Sequence, residues 1–197
     1  MKWRSNFLLM LIKNKLFIIS GPSGVGEDSV IDGLKKFLPI ERVITTTTRK
    51  KRSDIFAEDP YYFISKEEFK RGIAENKFFE YAREYNDQFY GVTNKEIQRV
   101  IESGRIGIWK IEYKGVITMK KLMPEVVAIF ITVSSLEVLR QRLLKRGASE
   151  EFVRERMDYT REWLKHKDIY DYEVVNHEGK LDETVEEVKG IILREIE

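Results

Sequence analysis

The feature that most constrains the fold is a glycine-rich turn that separates a short apolar run from a helical segment near the start of the chain. Residues 16–19 read LFII, a strand candidate that stops at Ser20, and a helix is expected from about Asp28 to Phe37. Between them lies the turn Gly21-Pro22-Ser23-Gly24-Val25-Gly26. Glycines let backbone N–H groups point into such a turn, and the helix N-terminus that follows adds partial positive charge. A turn at this place is therefore suited to hold a phosphate group.

The residues after the turn depart from the usual phosphate-binding motif. The spacing of Gly21 and Gly26 fits G-x-x-x-x-G-K-[ST], but Glu27 stands where the motif has Lys, and Asp28 stands where it has Ser or Thr. Ser29 follows and is suited to cap the helix. Taken alone, the segment is equally consistent with a glycine-rich connection between a strand and a helix.

The rest of the chain alternates short apolar runs with helical segments. Further strands are expected at 43–47, 106–111, 126–133 and 172–175. Helix starts are expected at capping sequences that begin with Ser65, Thr93, Ser134, Ser149 and Asp182. Strands that alternate with helices predict an α/β fold, a parallel sheet with helices on both faces. The polar, aromatic-rich stretch from Arg49 to Tyr90 interrupts this alternation and is interpreted as an inserted lobe.

Composition excludes several classes of protein. The 197 residues suit one domain, and 35 basic against 33 acidic residues leave a net charge of +2, too small to indicate a nucleic-acid binder. Cysteine is absent and there are two histidines, which excludes a disulfide framework and a thiolate zinc site. The apolar run Phe7–Ile12 is too short for an export signal or a membrane span. We expect a cytoplasmic protein with no membrane or nucleic-acid partner, in which residues 1–14 form an extension of unknown use.

Eight segments of the chain occur in the order found in guanylate kinases, and together they resemble that family from Lys15 onward. They are GPSGVG at 21–26, TTTTRKKR at 45–52, YYF at 61–63, FFEYA at 78–82, FYG at 89–91, RQRLLKRG at 140–147, ERM at 155–157 and YDYEVVN at 170–176. The resemblance implies a P-loop NTPase-like domain over 15–197, with a lobe at about 45–92 that binds a nucleoside monophosphate and a helical lid at about 140–162. It also implies ATP and GMP as substrates, Mg²⁺ as the ion that accompanies ATP, and a monomer or homodimer.

The resemblance assigns a role to several side chains of the lobe. Glu80 falls on the position that reads guanine, where a carboxylate accepts hydrogen bonds from N1–H and the exocyclic amine; adenine has no such pair of donors. The positions that bind the GMP phosphate hold guanidinium and phenol groups, which suit a phosphate. Together with a hydroxyl and a second acid, the implied GMP-binding residues are Thr45, Arg49, Arg52, Tyr61, Glu80, Tyr90 and Glu112.

The lid and the donor site are implied in the same way. Arg142, Arg146 and Arg156 match the lid arginines, whose charges would stabilise the transferred phosphoryl group. Asn176 falls in a segment near the adenine. The donor phosphates would lie on the glycine turn and on the three residues that follow it, Glu27, Asp28 and Ser29.

Three positions depart from the family pattern. Ile55 replaces a Glu of the lobe, Lys110 replaces an acidic residue at a strand end, and Glu27 replaces the loop Lys. Because that strand end lies beside the loop in P-loop folds, we expect Glu27 and Lys110 to be neighbours. Lys110 is then a candidate catalytic residue that supplies the missing ammonium group, and Asp28 is a tentative ligand of Mg²⁺.

Two other functions stay open from the sequence alone. One is a guanylate kinase-like binding module that has lost catalysis, which the altered loop favours and the lid arginines oppose. The other is an enzyme like the ribose bisphosphate phosphokinases, whose loop reads G-K-D-S and resembles Asp28-Ser29 here.

Overall fold

Strands and helices alternate through most of the residues that the computed structural model describes, which are 16–51, 61–83 and 87–197. The extension at 1–14, Arg52 and Ile55 lie outside the described residues. The strands are β1 (Leu16–Ser20), β2 (Ile40–Arg42), β3 (Thr45–Thr47), β4 (Tyr61–Phe63), β5 (Phe78–Arg83), β6 (Phe89–Thr93), β7 (Ile106–Lys110), β8 (Val127–Thr132) and β9 (Tyr172–Val175). The helices are α1 (Glu27–Leu34), α2 (Lys66–Ala74), α3 (Asn94–Glu102), α4 (Tyr113–Leu122), α5 (Leu136–Lys145), α6 (Glu150–Leu164) and α7 (Leu181–Ile196).

Five strands form a parallel sheet in the order β2-β7-β1-β8-β9. The central strand β1 is buried on both faces, and its side chains alternate between two apolar layers. Phe17 and Ile19 pack with α1, α5 and α7, whereas Leu16 and Ile18 pack with α3 and α4. The predicted α/β fold with helices on both faces of a parallel sheet is therefore confirmed.

A second, four-stranded sheet lies in the stretch where the alternation breaks, in the order β4-β3-β6-β5. It is mixed, because β3 runs parallel to β4 and antiparallel to β6. Helix α2 covers this sheet with Phe69, whose ring stacks on Phe78 at 4.1 Å and lies 5.3 Å from Phe89. This aromatic cluster gives the second sheet an apolar centre of its own.

Of the two capping boxes expected at Ser65 and Thr93, the structure forms only the first. Ser65 accepts a hydrogen bond from the backbone of Glu68, whose carboxylate binds the backbone of Ser65 in return, so this box is confirmed. Thr93 caps α3, but the side chain of Glu96 turns into the protein and accepts a hydrogen bond from the backbone N–H of Ile44 at 2.7 Å. The second box is therefore not formed, because Glu96 joins the helix to the chain between β2 and β3.

Three further helix starts were expected at serine or aspartate residues. Ser149 caps α6 as predicted. The cap of α5 is Ser135, one residue later than expected, and α7 begins after Lys180, so Asp182 lies in the first turn and is not the cap. In the part of the chain that the structure describes, no helix has the length and apolarity that a membrane crossing requires.

Candidate active site

The glycine turn leads from the end of β1 into α1 at the carboxyl edge of the parallel sheet. Gly24 and Gly26 have φ angles of 99° and 100°, a backbone region that favours glycine. A Cβ atom on Gly26 would also lie 2.6 Å from Nδ2 of Asn176, so a side chain has no room there. The turn therefore has the conformation and the close packing of a loop that presents its backbone to a ligand.

A cavity of about 430 Å³ lies between this turn, the second sheet and helices α4 and α6. Most of the residues that the sequence assigned to a site line it. They are Gly21, Ser23, Gly24, Gly26, Glu27, Asp28, Ser29, Thr45, Arg49, Tyr61, Glu80, Tyr90, Lys110, Glu112, Arg146 and Arg156. Pro22, Val25 and Arg142 are not among the lining residues, and Arg52 lies outside the described part of the chain.

Charged side chains surround the start of α1. The Lys110 ammonium lies 2.6 Å from Oδ2 of Asp28, and Nη2 of Arg42 lies 2.5 Å from Oδ1 of the same carboxylate. Register explains the first contact, because Lys110 pairs with Ile19 two residues before the turn begins. The expected proximity of Glu27 and Lys110 agrees with the structure, because both line the cavity and Lys110 forms its ion pair with Asp28, the residue that follows Glu27.

Burial and these neighbours shift the pKa values of the three groups. Burial raises the pKa of the Glu27 carboxyl to about 8, although the charge of Lys110 opposes the shift. Desolvation would also raise the pKa of Asp28, but Lys110 and Arg42 outweigh it and hold that pKa below its ordinary value. For Lys110, burial favours the neutral amine, yet Glu27, Tyr61 and Asp28 raise the pKa above its ordinary value. Lys110 is therefore a cation and Asp28 an anion at neutral pH.

Aromatic and basic groups line the side of the cavity formed by the second sheet. The Arg49 guanidinium lies 5.3 Å from the ring centroid of Tyr61 and 5.5 Å from that of Phe63. The rings of Tyr61 and Tyr90 meet edge to face at 6.3 Å. Burial raises the pKa of both phenols, so they stay neutral hydrogen-bonding groups. One guanidinium and two phenols thus converge in the manner expected of a phosphate site.

Two carboxylates lie deeper in the cavity. Glu80 on β5 is buried, and a Cβ atom on Gly115 of α4 would lie 3.6 Å from Oε1 of Glu80, so the glycine leaves space beside the carboxylate. Glu112 accepts a 2.5 Å hydrogen bond from the Tyr159 hydroxyl of α6. The pairing of β5 with β6 shifts register between Phe78 and Glu80, in the segment that brings Glu80 inside.

The three lid arginines lie in different surroundings. Arg146 and Arg156 line the cavity. Arg142 instead donates hydrogen bonds to the backbone carbonyls of Asn176, at 2.9 Å, and Val25, at 3.3 Å. It also pairs with Glu178 at 2.9 Å. The structure therefore places Arg142 behind the glycine turn as a support.

Among the lining residues that sequence reasoning missed, the four with polar or aromatic side chains are Arg42, Gln88, Tyr159 and Trp163. Arg42 directly precedes the strand expected at 43–47, whereas the structure places it at the end of the separate strand β2. Its strand β2 pairs with β7, with Arg42 opposite Ile108. The other three depend on how the second sheet and α6 pack, which no local pattern reports.

Comparison with known proteins identifies the family. The profile of the family described as Guanylate kinase matches residues 13–195. The chain belongs to the guanylate kinase family. It is 36% identical over 192 residues to the guanylate kinase of Rickettsia felis, covering 95% of this chain and 98% of the relative. It is 37% identical over 182 residues to that of Caldanaerobacter subterraneus, covering 91% and 87%.

A solved structure extends the likeness to three dimensions. The crystal structure of guanylate kinase from Anaplasma phagocytophilum superposes with a TM-score of 0.69 at 25% identity, covering 92% of this chain and 85% of that one. The guanylate kinase family thus accounts for both the parallel sheet and the order of the sequence motifs. The binding-module and ribose bisphosphate phosphokinase alternatives are not favoured by these relatives.

Proposed function

We propose that this protein transfers the γ-phosphoryl group of ATP to GMP, giving ADP and GDP. The observation on which the proposal rests is one cavity that joins a phosphate-type glycine turn to a buried carboxylate, two phenols and a guanidinium. Membership of the guanylate kinase family supports the same reaction. Since all the bacterial relatives named above are guanylate kinases, we also assign the protein to purine nucleotide metabolism in the cytoplasm.

The acceptor side of the cavity is the part formed by the second sheet. In our proposal Glu80 accepts hydrogen bonds from N1–H and the amino group of guanine, and Thr45 and Glu112 line the same pocket. Arg49, Tyr61 and Tyr90 bind the phosphate of GMP. We include Arg52 by its place in the family motif.

The reaction needs positioning and electrostatic stabilisation, with no covalent intermediate on the protein. A phosphate oxygen of GMP attacks the γ-phosphorus of ATP, the bond from that phosphorus to the β,γ-bridging oxygen breaks, and ADP leaves with the electron pair. Arg146 and Arg156 supply positive charge that stabilises the negative charge of the transferred phosphoryl group. A binding module would have no use for these two arginines, which argues for an enzyme.

Mg²⁺ enters in this proposal as part of the ATP complex. No group of three or more metal-binding side chains occurs among residues 16–51, 61–83 and 87–197. Both carboxylate oxygens of Asp28 accept hydrogen bonds from cations, so a metal ion would have to displace Lys110 or Arg42 to reach them. Among the described residues Asp28 thus stays the proposed protein ligand of Mg²⁺, in competition with Lys110 and Arg42, and the nucleotide phosphates are the main ligands that the ion would have.

The test is a substrate screen with the pure protein. ATP and Mg²⁺ are mixed with GMP, AMP, CMP or UMP in separate reactions, and ADP release is followed. The proposal predicts turnover with GMP at a rate well above that with the other three. Absence of turnover with GMP, or equal turnover with AMP, would contradict it.

A further inference from the structure

Lys110 lies between the two halves of the cavity. Its ammonium contacts Asp28 at the start of α1, beside the glycine turn. It lines the same cavity as Tyr61, which we assign to the acceptor phosphate. Only 23% of the Lys110 side chain is exposed. A cation held here lines the same cavity as the glycine turn and the residues that we assign to the acceptor.

The loop itself has lost its positive side chain. Glu27 and Asp28 are both acidic, and both line the cavity at the turn. Without a cation nearby, the Asp28 carboxylate at the start of α1 would repel the donor phosphates and weaken the helix N-terminal charge. Lys110 and Arg42 are the cations that directly contact Asp28 among the described residues.

Arg42 gives Asp28 a second partner. Its side chain is 13% exposed, and its Nη2 holds the carboxylate oxygen that Lys110 does not. The backbone carbonyl of Arg42 accepts a 2.8 Å hydrogen bond from Nη2 of Arg99, which is itself anchored by the buried Glu96. Arg42 is therefore fixed in place, and Asp28 keeps one cation when Lys110 turns toward another anion.

We propose that Lys110 is the residue that binds the β- and γ-phosphates of ATP in place of the missing loop lysine, and that Asp28 and Arg42 position it. Asp28 holds the ammonium at the mouth of the turn before ATP binds. Arg42 neutralises Asp28 when the ammonium moves to the phosphates, which makes that movement less costly. This inference rests on the proposed function, because it names the donor ligand of the same site.

The number of phosphates on the ligand gives a sharp test. Affinities for AMP, ADP and a non-hydrolysable ATP analogue with an imino group between the β- and γ-phosphorus atoms are measured by calorimetry with Mg²⁺ and without GMP. In the wild type, affinity should rise from AMP to the ATP analogue. In Lys110→Met, affinity for the ATP analogue should fall about ten- to a hundred-fold, the range of a charged hydrogen bond, while that for AMP changes less than about threefold.

Controls separate this role from damage to the fold. Lys121→Met removes an exposed lysine at the end of α4 and should leave all three affinities unchanged. If Lys110→Met does not fold because Asp28 loses one of its partners, the double variant Asp28→Ser with Lys110→Met, which also removes the carboxylate, is measured instead. It should show the same loss of affinity for the ATP analogue. Lys110→Arg keeps the charge and should recover most of the affinity for the ATP analogue.

Arg42 is tested as a positioning residue. Arg42→Met should raise the KM for ATP about five- to tenfold without changing the KM for GMP by more than about twofold, and Arg42→Lys should restore it. A merely structural role would move both KM values together.

The binding measurements do not require turnover, so a wild type that fails to phosphorylate GMP would contradict the proposed function alone. An equal loss for AMP and the ATP analogue in Lys110→Met, or no loss for either, would overturn the assignment of Lys110.

Discussion

The side-chain amide of Asn176 donates a 2.7 Å hydrogen bond to the backbone carbonyl of Val25, in the middle of the glycine turn. Its oxygen accepts a 3.2 Å hydrogen bond from the hydroxyl of Thr184 on α7. Asn176 itself lies at the end of β9 and is buried. The turn is thus tied to the last strand and the last helix of the chain, and its shape depends on residues about 150 positions away.

Asn176→Ala should therefore weaken both the fold and the donor site. The change leaves the Thr184 hydroxyl with only the backbone carbonyl of Lys180 as acceptor and Val25 with only the longer hydrogen bond from Arg142, so we expect a loss of about 1–3 kcal/mol in the free energy of unfolding. The KM for ATP should rise more than that for GMP. Urea unfolding and initial rates measure the two effects. Asn94→Ala, which removes an exposed hydrogen bond to Asn76, is the matched control and should cost less than about 0.5 kcal/mol.

Glu80→Gln tests whether Glu80 recognises the guanine base. The amide keeps one acceptor oxygen but loses the charge and places a donor against a donor, so GMP affinity should fall by at least about 1.5 kcal/mol, roughly tenfold. Calorimetry with GMP and AMP measures the discrimination between the two nucleotides. Glu125→Gln, at an exposed position outside the cavity, serves as control. An unchanged ratio of the GMP and AMP affinities in Glu80→Gln would remove Glu80 from the guanine site.

Arg146→Ala tests the lid. If the guanidinium acts on the transferred phosphoryl group, kcat should fall at least about a hundredfold while the Kd for GMP changes little, because the interaction forms in the transition state. Arg154→Ala removes an exposed arginine of α6 that does not line the cavity, and its kcat should match that of the wild type. Equal kcat values for the two variants would reduce Arg146 to a surface charge.

Glu27 should make stability depend on pH. Its folded pKa of about 8 lies above the ordinary value of 4.5, so between these pH values the folded state binds a proton that the unfolded state has released. Stability must then fall as pH rises through this range, by at most about 1.4 kcal/mol per pH unit. In Glu27→Gln this decline should be absent, so the stability gain of the variant over the wild type should grow from pH 5 to pH 8. Urea unfolding at several pH values measures it, and parallel curves for the two proteins would contradict the burial of a protonated carboxyl.

The regular parts of the fold were predictable because they depend on local pattern. The apolar run at 16–19 forms a strand and the box at Ser65 caps a helix, since the apolar run and the capping residues are both visible in the local sequence. Glu96 shows the limit of such reasoning. Its spacing from Thr93 predicts a capping box, but its carboxylate binds the backbone N–H of Ile44, in the chain between β2 and β3, and the side chain of Arg99.

The candidate site, too, was only partly predictable from the sequence. The resemblance to P-loop folds indicated that Glu27 and Lys110 would be neighbours, because in those folds this strand end lies beside the loop. It did not indicate that Arg142 supports the turn from behind, or that Arg42 shares Asp28 with Lys110. Both depend on side-chain directions that are set by tertiary packing. The roles assigned to the lobe at 45–92 and the lid at 140–162 stay predictions.

The most direct measurement is a double-mutant cycle on the exchanged charges. kcat/KM for ATP is determined for the wild type, Glu27→Lys, Lys110→Asp and the double variant, across a Mg²⁺ titration. The account predicts that Lys110→Asp loses activity, that Glu27→Lys alone gains little, and that the double variant, which restores the family arrangement of charges, recovers turnover. Additive effects, with a coupling energy below about 0.5 kcal/mol, would contradict it.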